Sequence, residues 1–199
     1  MKGFMPNERF NLAEKKILNR LEKELPTHLY YHGYHHTLDV LQAAMIISKA
    51  EKIEYDEIKL LRVAICYHDA GFLYMYNGHE EKSCEIACKY LEECHFTKKE
   101  IDAVCDMIMA TKIPQTPKNV LSKIIADADL DYLGREDVDE VAKTLKKELN
   151  EFMDLQDERI WIKMQIAFLK SHNYHTSFSN QNRGPQKMKY LKKLEDSLQ

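Results

Sequence analysis

The sequence predicts an all-α fold, a helical bundle in a single domain, and three observations carry that reading. Apolar residues recur at the three- and four-residue steps of one helix face in segment after segment. No alternating apolar–polar run is long enough to make a strand. Only six glycines and five prolines punctuate the 199 residues, and the breaks they make leave segments of helical length.

Taken in order, the first helix is expected over about Glu8–Leu25, with Phe10, Ala13, Ile17, Leu18 and Leu21 inward. Pro26 closes it, because a proline disfavours helical geometry in the residue before it. After a loop through His28, His32 and His35, the second helix runs from about His36 to Ala50 with Val40, Ala44 and Ile47 on one stripe. The third carries Ile58, Leu61 and Ile65 on its apolar face, runs up to His68-Asp69 and is ended by Gly71. Asn77-Gly78 then turns into a fourth, about His79–Cys94. Thr97 caps the fifth, with Glu100 at the capping-box position and Ile101, Val104, Cys105 and Ile108 inward. Pro114 stops it. A sixth covers Val120 to about Tyr132, and a seventh starts near Glu136. Asn150 divides the seventh from an eighth over about Asp154–Ser171. A polar connector holding Gly184-Pro185 precedes a last, charged helix. No internal repeat and no linker-like break is visible.

Composition bounds the function. Hydrophobic residues make up 44% and charged residues 31%, as in an ordinary globular protein. The net charge of −3 offers no basic footprint for nucleic acid, which leaves a small nucleotide open. The first residues lack an apolar core of signal-peptide length, and no stretch is long enough to span a bilayer, so no membrane is expected. Five cysteines, an odd number without a CxxC pair, argue against a disulfide framework and for a reducing cytoplasm. Cys84 and Cys88, four apart, read as small core residues on one helix face.

The chemistry gathers where apolar faces end in polar groups. His36 stands at the polar end of the stripe through Val40, Ala44 and Ile47, and His68 and Asp69 continue that of the third helix. Buried imidazoles and carboxylates need partners, and a metal ion satisfies several at once. The sixth helix ends in Asp127, Asp129 and Asp131, a cluster that opposes the helix dipole and asks for a compensating charge. Asp131 reads as a solvated turn residue. Asp129, four on from Ile125, fits the inward face better than Asp127, and both remain open. His28 and His35 lack this context and read as surface or packing residues. Two imidazoles and two carboxylates suit Mn, Fe, Co, Ni or Zn better than Ca; Mg prefers oxygen ligands.

The run Tyr31-His32-Gly33-Tyr34-His35-His36, then His68-Asp69, then Ala128-Asp129-Leu130 resembles the H…HD…D signature of the HD-domain metal-dependent phosphohydrolases. The first segment is also similar to that of cyclic-nucleotide phosphodiesterases. His79-Glu80 with Ser83, the stretch Ile108–Lys112 and the stretch Asp127–Arg135 resemble a small single-domain branch known as predicted metal-dependent phosphohydrolases. The resemblance implies a helical bundle of the HD-domain type built around a metal site. It spans residues 1–199 as one domain, with a metal-site core over about 27–135 and helices over about 136–199 packed on it. It implies His36, His68, Asp69 and Asp129 as ligands of one or two divalent ions, and His32 as the general acid. His79 becomes a second-metal or phosphate contact, with Asp69 able to bridge two ions. The implied reaction is hydrolysis of a phosphoester or phosphoanhydride in a small phosphorylated molecule, with a nucleotide as the default and a monomer or homodimer as the working form.

Among cations that could meet phosphate, Lys112 and Arg183 sit at helix ends or in loops, where binding residues gather; Arg62, Arg135, Arg159 and Lys187 read as solvated helix faces. His172, Trp161 and the methionines read as packing. The residues after Asp69, Ala70-Gly71-Phe72-Leu73, lack the acidic pair of the alarmone hydrolases and the Glu of the 5′-deoxynucleotidases. The Gly-Tyr-Pro motif of the cyclic-di-GMP branch is absent too. The competing reading is a metal-binding sensor or regulatory module of the same family.

Overall fold

The computed structural model describes residues 7–199; the start of the chain, read above for a leader, lies outside them. Ten α-helices and two 3₁₀ turns make up the described residues, with no strand among them. Helix α1 (Glu8–Glu24) buries Phe10, Ala13, Ile17 and Leu21. This face lies on α3 (Tyr55–Tyr67), where the buried Tyr67 hydroxyl donates to the Ala13 carbonyl at 3.1 Å. Helices α2 (Tyr34–Ala50), α4 (His79–Glu93), α5 (Lys98–Met109) and α6 (Val120–Asp129) complete a core that includes Val40, Ile47, Leu61, Ile65, Ile108 and Ile125. Helix α3 runs through it, against α1, α2 and α5. The capping box at Thr97 and Glu100 is present at the start of α5.

Beyond α6 the chain builds a smaller apolar shell. The 3₁₀ turn Asp131–Gly134 packs with α7 (Val138–Leu149), α8 (Glu158–Ser171) and α10 (Gly184–Asp196) around Tyr132, Leu133, Leu169 and Tyr190. Trp161 sits in a separate cluster with Ala142 and Leu155, and Leu145 packs against both. No helix among the described residues is long and apolar enough to cross a membrane.

Several boundaries differ from those read in the sequence. Helix α3 stops at Tyr67, so His68 and Asp69 follow it and lead into a 3₁₀ turn, Ala70–Leu73. Gly71 is no left-handed cap. It lies inside that turn, and it is glycine because a Cβ there would come within 2.0 Å of the His79 carbonyl oxygen. Helix α6 ends at Asp129 rather than Tyr132. Asp131 is buried rather than solvated, with Arg183 Nε donating to it at 2.7 Å. A short helix, α9 (Ser177–Asn182), was not expected; Thr176 caps it by accepting from the Ser179 N–H. Gly184-Pro185 opens α10 instead of preceding it, since a first-turn proline lacks only an N–H that the helix does not use.

Candidate metal centre and its cavity

The start of α2, the end of α6 and the segment after α3 converge, because α2 packs on both α6 and α3. His36, in the first turn of α2, is buried, as are His68 and Asp69. His68 donates its Nδ1 proton to the Ile65 carbonyl at 2.7 Å, which fixes the tautomer and leaves the Nε2 lone pair facing inward. His36, His68 and Asp69 each offer an atom within 4.8 Å of the others. Asp129 stands at the rim of this group, its Oδ1 3.0 Å from His36 Nε2 and 3.5 Å from His68 Nε2.

Two atoms decide what the group can hold. His68 Nε2 and Asp69 Oδ2 lie 3.2 Å apart, both buried and both without a hydrogen-bond partner. With the imidazole N–H committed to Ile65, two lone pairs face each other, an arrangement that either a proton on Nε2 or a metal ion beside them relieves. Imidazole nitrogen with carboxylate oxygen is a donor set for a borderline divalent ion. Burial acts to lower the His68 pKa, but the charges of Asp69 and Asp129 outweigh it and drive it well above the usual imidazole range. Burial acts to raise Asp69, and the imidazoles of His68, His32 and His36 outweigh it and hold the carboxyl far down. Protons and a metal ion compete for the same lone pairs in such a set.

His79 opens α4, after Gly78, whose φ of +77° is the left-handed conformation that favours glycine. It donates Nδ1–H to the Tyr76 carbonyl at 3.0 Å. Its Nε2 is then turned toward Asp69 Oδ1 and Glu80 Oε1, each at 3.7 Å. On the other flank, His32 Nδ1 lies 2.5 Å from Glu148 Oε1. Glu148, fully buried on α7, also accepts from the Tyr31 N–H at 2.8 Å, the His32 N–H at 3.0 Å and the Tyr76 hydroxyl at 2.9 Å. Burial pushes Glu148 up, but the bond and charge of His32, with the two backbone N–H groups, together outweigh this and bring the carboxyl below its ordinary value. For His32 burial acts downward, and the Glu148 bond together with the charge of Asp69 brings the net shift upward. The rings of both His32 and His79 stack on Phe72, at 4.4 and 4.0 Å.

A cavity of about 300 Å³ opens beside these groups. His32, Asp69, His79, Glu80 and Asp129 form one wall, and α7, α8 and α10 form the other with residues such as Leu149, Trp161, Phe168 and Tyr190.

The sequence-predicted residues His32, His36, His68, Asp69, His79 and Asp129 thus lie together. Asp127 faces elsewhere: its carboxylate accepts from the His175 and Thr176 N–H groups and from the Thr176 hydroxyl at 2.8, 2.9 and 2.6 Å. The structure does not bring Lys112 or Arg183 to the cavity. Lys112 is half-buried and ion-paired with Glu81, and Arg183 is spent on Asp131. Arg62 and Arg135 pair with Glu14 and Asp39, and Lys187 is buried against His172. Sequence reasoning missed Glu148, Phe72 and the Glu80 side chain. Only Glu80 carried a local signal, as the neighbour of His79 at a helix start.

Neither a curated protein nor a solved structure matches the chain. The family model described as HD domain matches residues 33–134, a little over half of the chain and the segment that holds His36, His68, Asp69, His79 and Asp129. On that match this chain belongs to the HD domain family, whose members are in general metal-dependent hydrolases.

Proposed function

We infer that the protein hydrolyses a phosphoester or phosphoanhydride bond in a small phosphorylated molecule, with a nucleotide as the default class, at a divalent metal centre. The observation that carries this reading is the buried, unpartnered pair His68 Nε2 and Asp69 Oδ2, 3.2 Å apart. His36, His68, Asp69 and Asp129 would hold the ion, one of Mn, Fe, Co, Ni, Zn or Mg. His79 and Glu80 flank the far oxygen of Asp69, where they would meet a phosphoryl oxygen or a second ion. A divalent ion there supplies charge neutralisation for the phosphoryl oxygens and an acidified water.

The chain's own groups perform the rest. His32, whose protonated form Glu148 favours, would present its Nε2 proton at the cavity wall. That proton goes to the oxygen that leaves phosphorus as the water oxygen bonds to it. Glu148 raises the affinity of His32 for its proton and orients its ring, with the Tyr76 hydroxyl fixing the carboxylate in turn. The apolar wall limits water to the reacting face.

Elemental analysis of wild-type protein beside Asp69→Ala tests the reading, followed by phosphate release from a panel of phosphorylated compounds with Mn, Co, Ni or Mg. Bound ion lost in the variant, with release by wild type only, is the expected result. Bound ion with no release from any compound would replace the enzyme by a metal-binding sensor module. No bound ion after reconstitution would end both.

A further inference from the structure

The cavity is two-faced, and its charge is one-sided. The chain carries 29 lysines and arginines, yet none of the described residues lining the cavity is one. Its ionisable lining is acidic or imidazole: Asp69, Glu80, Asp129, His32 and His79, beside tyrosine hydroxyls. The opposite wall is apolar and aromatic, and it lies outside the segment that the family model matches, on α7, α8 and α10. Trp161, Leu169 and Tyr190 in it are almost wholly buried, so their rings and chains present a fixed surface. Members of two apolar clusters line the cavity, and Leu145 packs against both. An apolar-lined cavity is a place where dispersion contacts are missing and an apolar guest supplies them.

Charge sets the other limit. One phosphoryl group can be neutralised at the metal wall. Further phosphates would stand among carboxylates and aromatic carbon with no lining cation to meet them, and like charges at short range in a poorly solvated site repel strongly. The volume, about 300 Å³, is at the low end of the roughly 300–1,000 Å³ of ordinary small-molecule sites. It therefore holds a compact body.

We propose that the substrate is a phosphomonoester with one phosphoryl group on a compact apolar or aromatic body, the body seated between α7, α8 and α10 against Trp161. This rests on the hydrolase reading above and narrows its substrate class. In the reaction, water oxygen bonds to phosphorus and the P–O bond to the body breaks. The body leaves as an alcohol or phenol carrying the proton from His32, with inorganic phosphate as the other product. Met164, 36% exposed at the rim of this wall, is a specificity position: a cation there would admit extra phosphate.

Trp161 is the chain's one tryptophan, so its emission reports occupancy of the apolar wall independently of turnover. The experiment titrates manganese-loaded protein with phenylphosphonate, whose P–C bond resists hydrolysis, and with methylphosphonate as the small-body control. It then compares turnover of phenyl phosphate, glycerol 3-phosphate and adenosine triphosphate. Expected are a saturable change in Trp161 emission with phenylphosphonate and a kcat/KM for phenyl phosphate about 100-fold above that for glycerol 3-phosphate, the discrimination that filling an apolar pocket supplies. Met164→Lys should narrow the gap between phenyl phosphate and the triphosphate by about 10-fold, through one added ion pair. Preferred turnover of glycerol 3-phosphate or the triphosphate, with Trp161 emission unmoved by phenylphosphonate, overturns the substrate class and leaves the hydrolase standing. Saturable emission change without turnover of any ester supports the apolar-bodied ligand and overturns the hydrolase. No emission change and no turnover overturns the proposal and the hydrolase together.

Discussion

His32 and Glu148, 116 residues apart, meet at 2.5 Å behind the cavity wall that His32 forms. The contact joins the segment that opens α2 to a helix beyond the matched family segment. A buried carboxylate held by four donors is a rigid fixture, and it gives the imidazole both its tautomer and its charge. Glu148→Gln keeps an acceptor for the backbone N–H groups and removes the charge. Without that charge the His32 pKa falls, so the acid form is lost at lower pH. The alkaline limb of the kcat profile should move to lower pH, and kcat at neutral pH should drop about 100-fold, within the range for a positioned general acid. A pH–rate series on both proteins measures it.

The unpartnered lone pairs of His68 and Asp69 make the folded state depend on an ion. Binding to the native state alone stabilises it by about 2.7 kcal/mol when the free ion is at 100 times its Kd. Chelation should therefore lower the Tm of wild type, and added Mn or Zn should restore it. In Asp69→Ala, Tm should no longer respond to chelator or metal. Thermal scans with and without chelator decide this.

Asp127 and Asp129, two residues apart, should separate cleanly under substitution. Asp127→Ala strips the acceptor from two backbone N–H groups and the Thr176 hydroxyl. Leaving buried donors unpaired costs about 1–3 kcal/mol each, so stability should fall markedly while bound metal per folded chain stays near wild type. Asp129→Ala should lose bound metal, and its stability should fall only to that of chelator-treated wild type. Urea titration beside elemental analysis reads both effects.

Acid sensitivity has an identifiable source at the far end of the bundle. Arg9 donates to both Glu100 oxygens, at 2.9 and 2.5 Å. That pairing, joined by the Thr97 cap, outweighs burial and holds the Glu100 carboxyl at about 2. A carboxyl whose pKa is lowered by folding stabilises fully above its unfolded pKa and loses that contribution as pH falls through the folded one. Glu100→Gln should cost about 1–2 kcal/mol at neutral pH through the lost cap and ion pair. The difference from wild type should shrink steadily below about pH 4.5, the unfolded range. Urea midpoints measured from neutral pH down to about pH 3 trace it.

Local signals made much of this legible. The capping box at Thr97 and Glu100 and the stripe through Val40, Ala44 and Ile47 are short-range patterns, and the structure keeps them. His68-Asp69 stood out because polar groups continued a buried apolar face, and that burial is observed. Glu148 had no such mark: it lies in a lysine-rich helix, and its partners Tyr31, His32 and Tyr76 are 72 or more residues away. Asp131 read as solvated because Arg183, which compensates it, is 52 residues on. Trp161 and Met164 read as core, since a cavity wall and a packed core have the same composition and period. Only the shape of the missing volume tells them apart.

Gly71 has a consequence for how the site is held to size. Its backbone rests directly on the carbonyl of His79, so main chain abuts main chain at the joint between the two sides of the centre. No rotamer can relax there, and the span between Asp69 and His79 is calibrated by the thickness of a peptide plane. A methyl group at position 71 would act as a wedge, tilting the whole of α4 by its first turn. His79 and Glu80 would be carried off together, while His36 and Asp129, anchored on α2 and α6, would stay in place.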